Sequence, residues 1–331
     1  MNTPKTKPFS GLTPDCVMNA IESLGFRCDG RLLALNSYEN RVYQVGIEDN
    51  PPLVAKFYRP DRWTDEAILE EHGFLHELAL HELPVVTPLT ITEDQSLYQF
   101  ESFRFAVFPK QAGRAPELQG REHFEQMGRL IARIHAVGGL KRYRARPAIN
   151  LETFGKEPLD YLLSNGFIPP DLTEPYRSVA CHALERVRLC YERSGSPALL
   201  RLHGDCYLGN ILWTDDGPHF VDFDDSRTGP AIQDLWMLLA GEREDRERQL
   251  FDLLTGYQCF YELDRRELHL IEALRTLRLI HYSAWLARRW DDPAFPIAFP
   301  WFNNARYWQD RILELREQIA LMDEPPLNVI S

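Results

Sequence analysis

Asp205, Asn210 and Asp222 are the residues of this 331-residue chain whose types and spacing point most directly to chemistry. Asp205 closes His203-Gly204-Asp205, four residues separate it from Asn210, and Asp222 opens Asp222-Phe223-Asp224-Asp225. Between them two short apolar runs, 210–213 and 219–221, flank Thr214-Asp215-Asp216-Gly217-Pro218, a turn signal between strands. A tight hairpin returns the chain beside its start, so three oxygen-bearing side chains are predicted to share one small volume. That donor set suits a hard divalent cation, Mg²⁺ first, with one carboxylate left for other work. Phosphoryl transfer uses this combination: a carboxylate that orients a hydroxyl and accepts its proton, and an Asn and an Asp that hold metal on nucleotide phosphates. Asp205 is assigned as the base, Asn210 and Asp222 as metal ligands, and Asp222 counts as catalytic as well.

Other elements must position these groups. Protein kinases present the same order of parts and keep a lysine on a strand for the α and β phosphates. Lys56, in Leu53-Val54-Ala55-Lys56-Phe57, fits that place, although strand alternation also permits a surface lysine there. A carboxylate on the following helix would hold it. A helix is predicted from Asp65 to Leu83, capped by Thr64, with apolar positions at Ile68, Leu75, Leu78 and Leu83 and with Glu70 and Glu71 in its middle. His72 and His76 have metal-like spacing but no partner carboxylate motif, and read as helix-surface residues.

His-Gly-Asp, four residues, Asn and then Val221-Asp222-Phe223-Asp224 resembles the aminoglycoside phosphotransferase and choline kinase branch of the kinase-like superfamily, where His-Gly-Asp replaces His-Arg-Asp. Four segments resemble, more particularly, the bacterial stress response kinase A family: 36–43, 201–205, 233–238, and Arg289-Trp290 with Asp292-Pro293-Ala294-Phe295-Pro296. The resemblance runs from about residue 10 to Pro325-Pro326. It implies an α+β, bilobal protein kinase-like fold, with an antiparallel N-terminal sheet lobe carrying one key helix and a larger, mainly helical C-terminal lobe. It implies a cytoplasmic serine/threonine protein kinase that uses ATP and Mg²⁺. It favours Glu71 over Glu70 as the partner of Lys56. The loop Asn36-Ser37-Tyr38-Glu39-Asn40, which has no GxGxxG, would be the nucleotide lid, with Ser37 its phosphate contact and Asn40 also cofactor-binding. Asp234, which reads as a helix cap, would brace the loop near His203. Asp224 stands where protein kinases have glycine and would reinforce the metal site.

Composition narrows the remainder. A 44% hydrophobic chain of this length can bury ample core and predicts about two domains. A net charge of -12 argues against a nucleic-acid partner, disfavours anionic membranes and is compatible with a basic protein substrate. The first ten residues have no apolar targeting segment, and no stretch reaches membrane-spanning length. The six scattered cysteines read as reduced thiols of a cytosolic protein. A monomer is expected. Pro109 stops a strand, so the lobes are placed at 1–109 (nucleotide-binding) and 110–331 (catalytic and acceptor-binding), with the nucleotide in a cleft at their junction.

Residues 11–25 and 175–193 read as helices and 144–175 as a looser connection. The aromatic-rich 245–321 region reads as helical core, apart from Arg288–Asp292, which is assigned to the acceptor-side wall. Only about ten residues separate Asp224 from Gln233-Asp234, leaving little platform for a peptide. A kinase of a small alcohol (choline, homoserine or aminoglycoside type) is therefore the alternative to a protein kinase.

Overall fold

The computed structural model describes residues 7–92, 95–215 and 217–329. The chain divides into two compact units, Met1–Pro116 with Gly209–Asp224, and Glu117–Leu208 with Asp225–Ser331. A single cut at residue 109 does not reproduce this division. The hairpin after Asn210 is tied into the first unit: Trp213 and Arg114 exchange backbone hydrogen bonds of 2.7 and 3.1 Å, and the Phe220 N–H donates to Pro84 O at 2.8 Å.

In the first unit α1 (Pro14–Glu22) begins where the Thr13 hydroxyl accepts the Cys16 N–H and Pro14 presets the first helical φ. Strands β1 (Cys28–Leu35), β2 (Arg41–Ile47), β3 (Asn50–Phe57), β4 (Tyr98–Phe100) and β5 (Phe103–Pro109) form an antiparallel sheet in the order β1-β2-β3-β5-β4. Pro51 and Pro52 fall inside β3, at its exposed start, rather than in the turn before it. Helix α2 (Asp65–Leu80) has the expected Thr64 cap on the Ala67 N–H but stops short of Leu83. Glu82 takes a left-handed φ of 55°, and the Leu83 N–H closes back onto Leu78 O.

Strand alternation decides what each face of this sheet carries. Ala55 and Phe57 of β3, with Phe105 and Val107 of β5, join the core formed with Val17, Ala20 and Ile21 of α1. Burying each large apolar side chain of that core contributes about 2 kcal/mol. The intervening residues point the other way: Ala106 packs with Ile68 of α2. Lys56 is the register partner of Ala106 and therefore faces α2.

The second unit is mainly helical. It contains α3 (Gly120–Gly138), a wide five-residue π turn (Glu152–Lys156), α4 (Glu157–Ser164) and α5 (Pro170–Ser194). The 144–175 stretch is thus largely helical, and α5 starts well before Pro175: Pro170 is a natural first-turn residue, and Pro175 is accommodated inside the helix. Next come β6 (Leu199–Leu202), then β7 (Ile211–Thr214) and β8 (Gly217–Phe220) of the first unit, and β9 (Arg227–Pro230), which pairs with β6. Gly217 and Pro218 lie in β8, so the chain reverses between Thr214 and Gly217; Asp216, part of the expected turn, lies outside the described residues.

Helices α6 (Ile232–Trp236), α7 (Arg243–Tyr257), α8 (Ile271–Arg288), α9 (Ala294–Ala298) and α10 (Ala305–Leu321) complete the second unit. Helices α3 and α7 meet backbone to backbone, because a Cβ on Gly128 would strike Leu253 O and one on Gly256 would strike Glu125 O. The segment assigned to an acceptor wall is partly packed, with Arg288 and Asp291 exposed. The Trp290 ring lies 5.0 Å from that of Phe302, the Arg289 guanidinium sits 5.1 Å over Trp285, and Asp292 is buried. Among the described residues no helix is long and apolar enough to cross a membrane, and all six cysteines are free.

Candidate active site

Lys56 is the hub of the first unit's polar core. Its Nζ lies 3.6 Å from Glu71 Oε1, 3.2 Å from Asp222 Oδ1 and 3.1 Å from Asp224 Oδ1. Burial works against its charge, but Asp224, Glu71 and Asp222 together outweigh it and hold the ammonium well above the ordinary lysine range. Glu71 is 1% exposed, so α2 presents Glu71 and not Glu70 to the lysine. One position on a helix is a 100° rotation, and that rotation decides between them. His72 departs from expectation: it is buried, with its ring nitrogens 2.7 Å from Tyr58 OH and 2.8 Å from Ser96 Oγ. Its neighbours satisfy it as a core residue.

The hairpin β7–β8 closes the same site. Ile211 pairs with Phe220, and one step outward the Val221 N–H donates to Asn210 O at 3.0 Å. Asn210 therefore sits at the open end of the hairpin beside the strand that leads to Asp222. Asp222 has φ +58°, which costs a non-glycine residue about 1 kcal/mol. It leaves 55% of the Asp222 side chain exposed while keeping Lys56 within reach. Asp224 is used differently, with Oδ1 on Lys56 and Oδ2 on Arg62. Among the described residues no three His, Cys, Asp or Glu side chains form a metal cage. A buried amide-bearing Asn210 with a half-open Asp222 fits a cation of the Mg²⁺ kind, which takes one or two protein oxygens and completes its shell with phosphates and water.

Ser37 and Asn40 lie in the β1–β2 connection. Ser37 is half-buried. Asn40 is buried, and its Oδ1 accepts the Arg59 N–H at 3.0 Å, so the amide oxygen braces the loop. Arg59 also donates to Glu39 O and Tyr38 O, at 2.9 and 3.2 Å.

In the second unit, Asp234 Oδ2 accepts the His203 N–H and its Oδ1 accepts the Gly204 N–H, both at 2.8 Å. The expected brace is present, but Asp234 lies within α6 and does not cap it. His135 reaches Asp234 Oδ2 at 3.1 Å and Tyr257 OH at 2.7 Å, a satisfied core histidine. Gly204 has φ +86°, and a Cβ there would strike Asp225 O. The side chain of Asp205, about one fifth exposed, projects from this rigid turn. Burial raises its carboxyl, Arg278 pulls it back down at 2.7 Å, and Asp225 pushes it up again.

Lys56, Glu71 and Asp222 are thus brought into direct contact, with Asn210 joined through the hairpin, while Asp205 is held in the second unit. Sequence reasoning missed Arg59, Arg62 and Arg278. The first two follow β3 in the segment Tyr58-Arg59-Pro60-Asp61-Arg62, where two arginines beside an acidic loop were the available signal. Arg278 had none.

The family model described as "Phosphotransferase enzyme family" matches residues 31–271. Stress response kinase A of Escherichia coli (strain K12) is 43% identical over 321 residues, 97% of each chain. The serine/threonine protein kinase RdoA of Salmonella typhimurium (strain LT2) is 42% identical over the same shares. In fold, the chain is similar to amicoumacin kinase hAmiN, solved with AMP-PNP, Ca²⁺ and Ami (TM-score 0.72, 18% identity, 95% of each chain). It is also similar to a microcompartment-associated aminopropanol kinase (TM-score 0.68, 19% identity, covering 93% of this chain and 96% of that one). With its α+β kinase-like architecture, this chain belongs to the phosphotransferase enzyme family and, within it, to the stress response kinase A family.

Proposed function

We propose that this protein is an ATP- and Mg²⁺-dependent serine/threonine protein kinase of a bacterial stress response. The observation that carries the reading is Lys56, buried and charged between Glu71, Asp222 and Asp224. That is the arrangement a kinase uses to hold nucleotide phosphates. Lys56 pairs with the α and β phosphates, Glu71 fixes the lysine, and the Ser37 loop offers hydroxyl and backbone N–H groups to the phosphate chain. Asn210 and Asp222 would hold Mg²⁺, which when bound neutralises phosphate charge. Asp205 orients the acceptor hydroxyl and takes its proton as the new bond to the γ-phosphorus forms and the bond to ADP breaks. The protein acceptor rests on extensive identity with a relative named as a serine/threonine protein kinase. A monomeric cytoplasmic enzyme belongs to the same reading, as does the lack of a nucleic-acid or anionic-membrane partner, which the net charge of -12 supports.

One observation favours a second reading. From Asp225 the chain passes through the four-residue β9 straight into α6, with no long activation segment to seat a peptide. A small alcohol would need no such platform. Transfer of a labelled γ-phosphate with Mg²⁺, with and without a generic basic protein, separates the two. Label on serine or threonine in wild type, with at least a thousandfold loss in Asp205→Ala (about 4 kcal/mol), supports the protein kinase. Nucleotide binding without protein label moves the function to a small alcohol.

A further inference from the structure

The β1–β2 loop of a phosphate site is ordinarily shaped by glycines, and here no glycine occurs between Gly30 and Gly46. Something else must fix its backbone. Arg59 does part of this, with its Nε 2.9 Å from Glu39 Oε1 and with its donations to the loop carbonyls. Arg62 does something different. Its Nη1 is 3.6 Å from Glu39 Oε2 and also pairs with Asp224 Oδ2, while its guanidinium lies 5.2 Å over the Trp63 ring. The side chains of Arg62, Glu39 and Asp224 are 8%, 11% and 5% exposed, so solvent screens these pairs little.

We propose that Arg62 is a positioning residue for the nucleotide: it ties Glu39 of the 36–40 loop to Asp224, joining the phosphate loop to the metal-binding end of the hairpin. Two consequences follow. The loop is preorganised by ion pairs, so nucleotide meets a formed site and binding loses less in ordering. Asp224, with each oxygen engaged by a cation, is withheld from the metal, which falls to the more open Asp222. The inference rests on the kinase reading for the identity of the ligand, and on the ion pairs alone for the tie.

The test therefore has two arms. Without nucleotide, hydrogen exchange at amides 37–40 is compared in wild type, Arg62→Ala, Arg62→Lys, Glu39→Gln and Asp224→Asn, each checked for folding by circular dichroism. Exchange at least tenfold faster in Arg62→Ala and Asp224→Asn is expected, with Arg62→Lys between them and wild type. With Mg²⁺ and the fluorescent nucleotide mant-ADP, Kd rises about tenfold in Arg62→Ala and is partly restored in Arg62→Lys. The double variant Arg62→Ala/Glu39→Gln loses less than the product of the two single effects, because both changes break the Arg62–Glu39 pair and only the Arg59–Glu39 pair is lost in addition. Wild-type exchange in a folded Arg62→Ala protein overturns the tie, as do single effects that multiply in the double variant. A wild type that binds no Mg·mant-ADP overturns the kinase reading and the nucleotide role with it, while the exchange arm still decides the tie.

Discussion

Arg278 Nη1 lies 2.7 Å from Asp205 Oδ1, so the carboxylate assigned as base is paired with an arginine from α8. As the proposed base, Asp205 acts only when ionised. Burial and Asp225 resist ionisation and Arg278 favours it. Replacing Arg278 with Gln removes the favourable charge, and the acidic limb of kcat/KM moves to higher pH. The expected loss is greatest at acidic pH and shrinks toward pH 8. A uniform loss across a pH–rate profile would show that Arg278 acts by another route.

The Asp234 brace should be worth more than a surface hydrogen bond, because its partners are buried backbone donors. Asp234→Ala strands the His203 and Gly204 N–H groups and is expected to cost about 3 kcal/mol in urea unfolding. Asp234→Asn keeps an acceptor and should cost less. Gly204→Ala should abolish activity by forcing the turn off Asp225 O, in a protein that retains most of its helical signal.

Glu267 accepts the Ile232 N–H at 3.0 Å, at the start of α6. Burial pushes its carboxyl up from 4.5 to about 7, against the pull of the backbone bonds. The folded state thus holds this proton more tightly than the unfolded chain does. Its contribution is fully present below about pH 4.5 and is lost as pH rises to about 7, then stays level; the change is roughly 3 kcal/mol. Glu267→Gln should flatten that part of the stability–pH curve, as measured by urea midpoints between pH 5 and 8.

Lys56→Met should remove nucleotide binding and also destabilise the fold by about 3 kcal/mol, since Glu71 and Asp224 are left buried without this cation. In Lys56→Met/Glu71→Gln much of the stability should return while activity stays absent. Thermal unfolding together with γ-phosphate transfer distinguishes the two effects.

Much of the site was legible because its parts are local. Asp205, Asn210 and Asp222 sit within one short stretch, and the hairpin that joins Asn210 to Asp222 is written in two apolar runs around a turn. Lys56 was legible as a lysine inside an apolar strand. Pro175 misled the reading of α5, since a proline more often starts a helix than rides inside one. His72 misled it too, because a polar ring on a helix shows its buried partners, Tyr58 and Ser96, only in three dimensions.

By itself the sequence determined the residue types suited to the proposed chemistry, the strand and helix periods that carry them, and the charge balance of the whole. Tertiary structure alone decided the pairings. It set Lys56 toward α2 through the register with Ala106, engaged Asp224 with Arg62, and brought Arg278 to Asp205. Periodicity is a property of neighbours along the chain. An ion pair between distant residues depends on how two elements pack and rotate, and no local pattern records that angle.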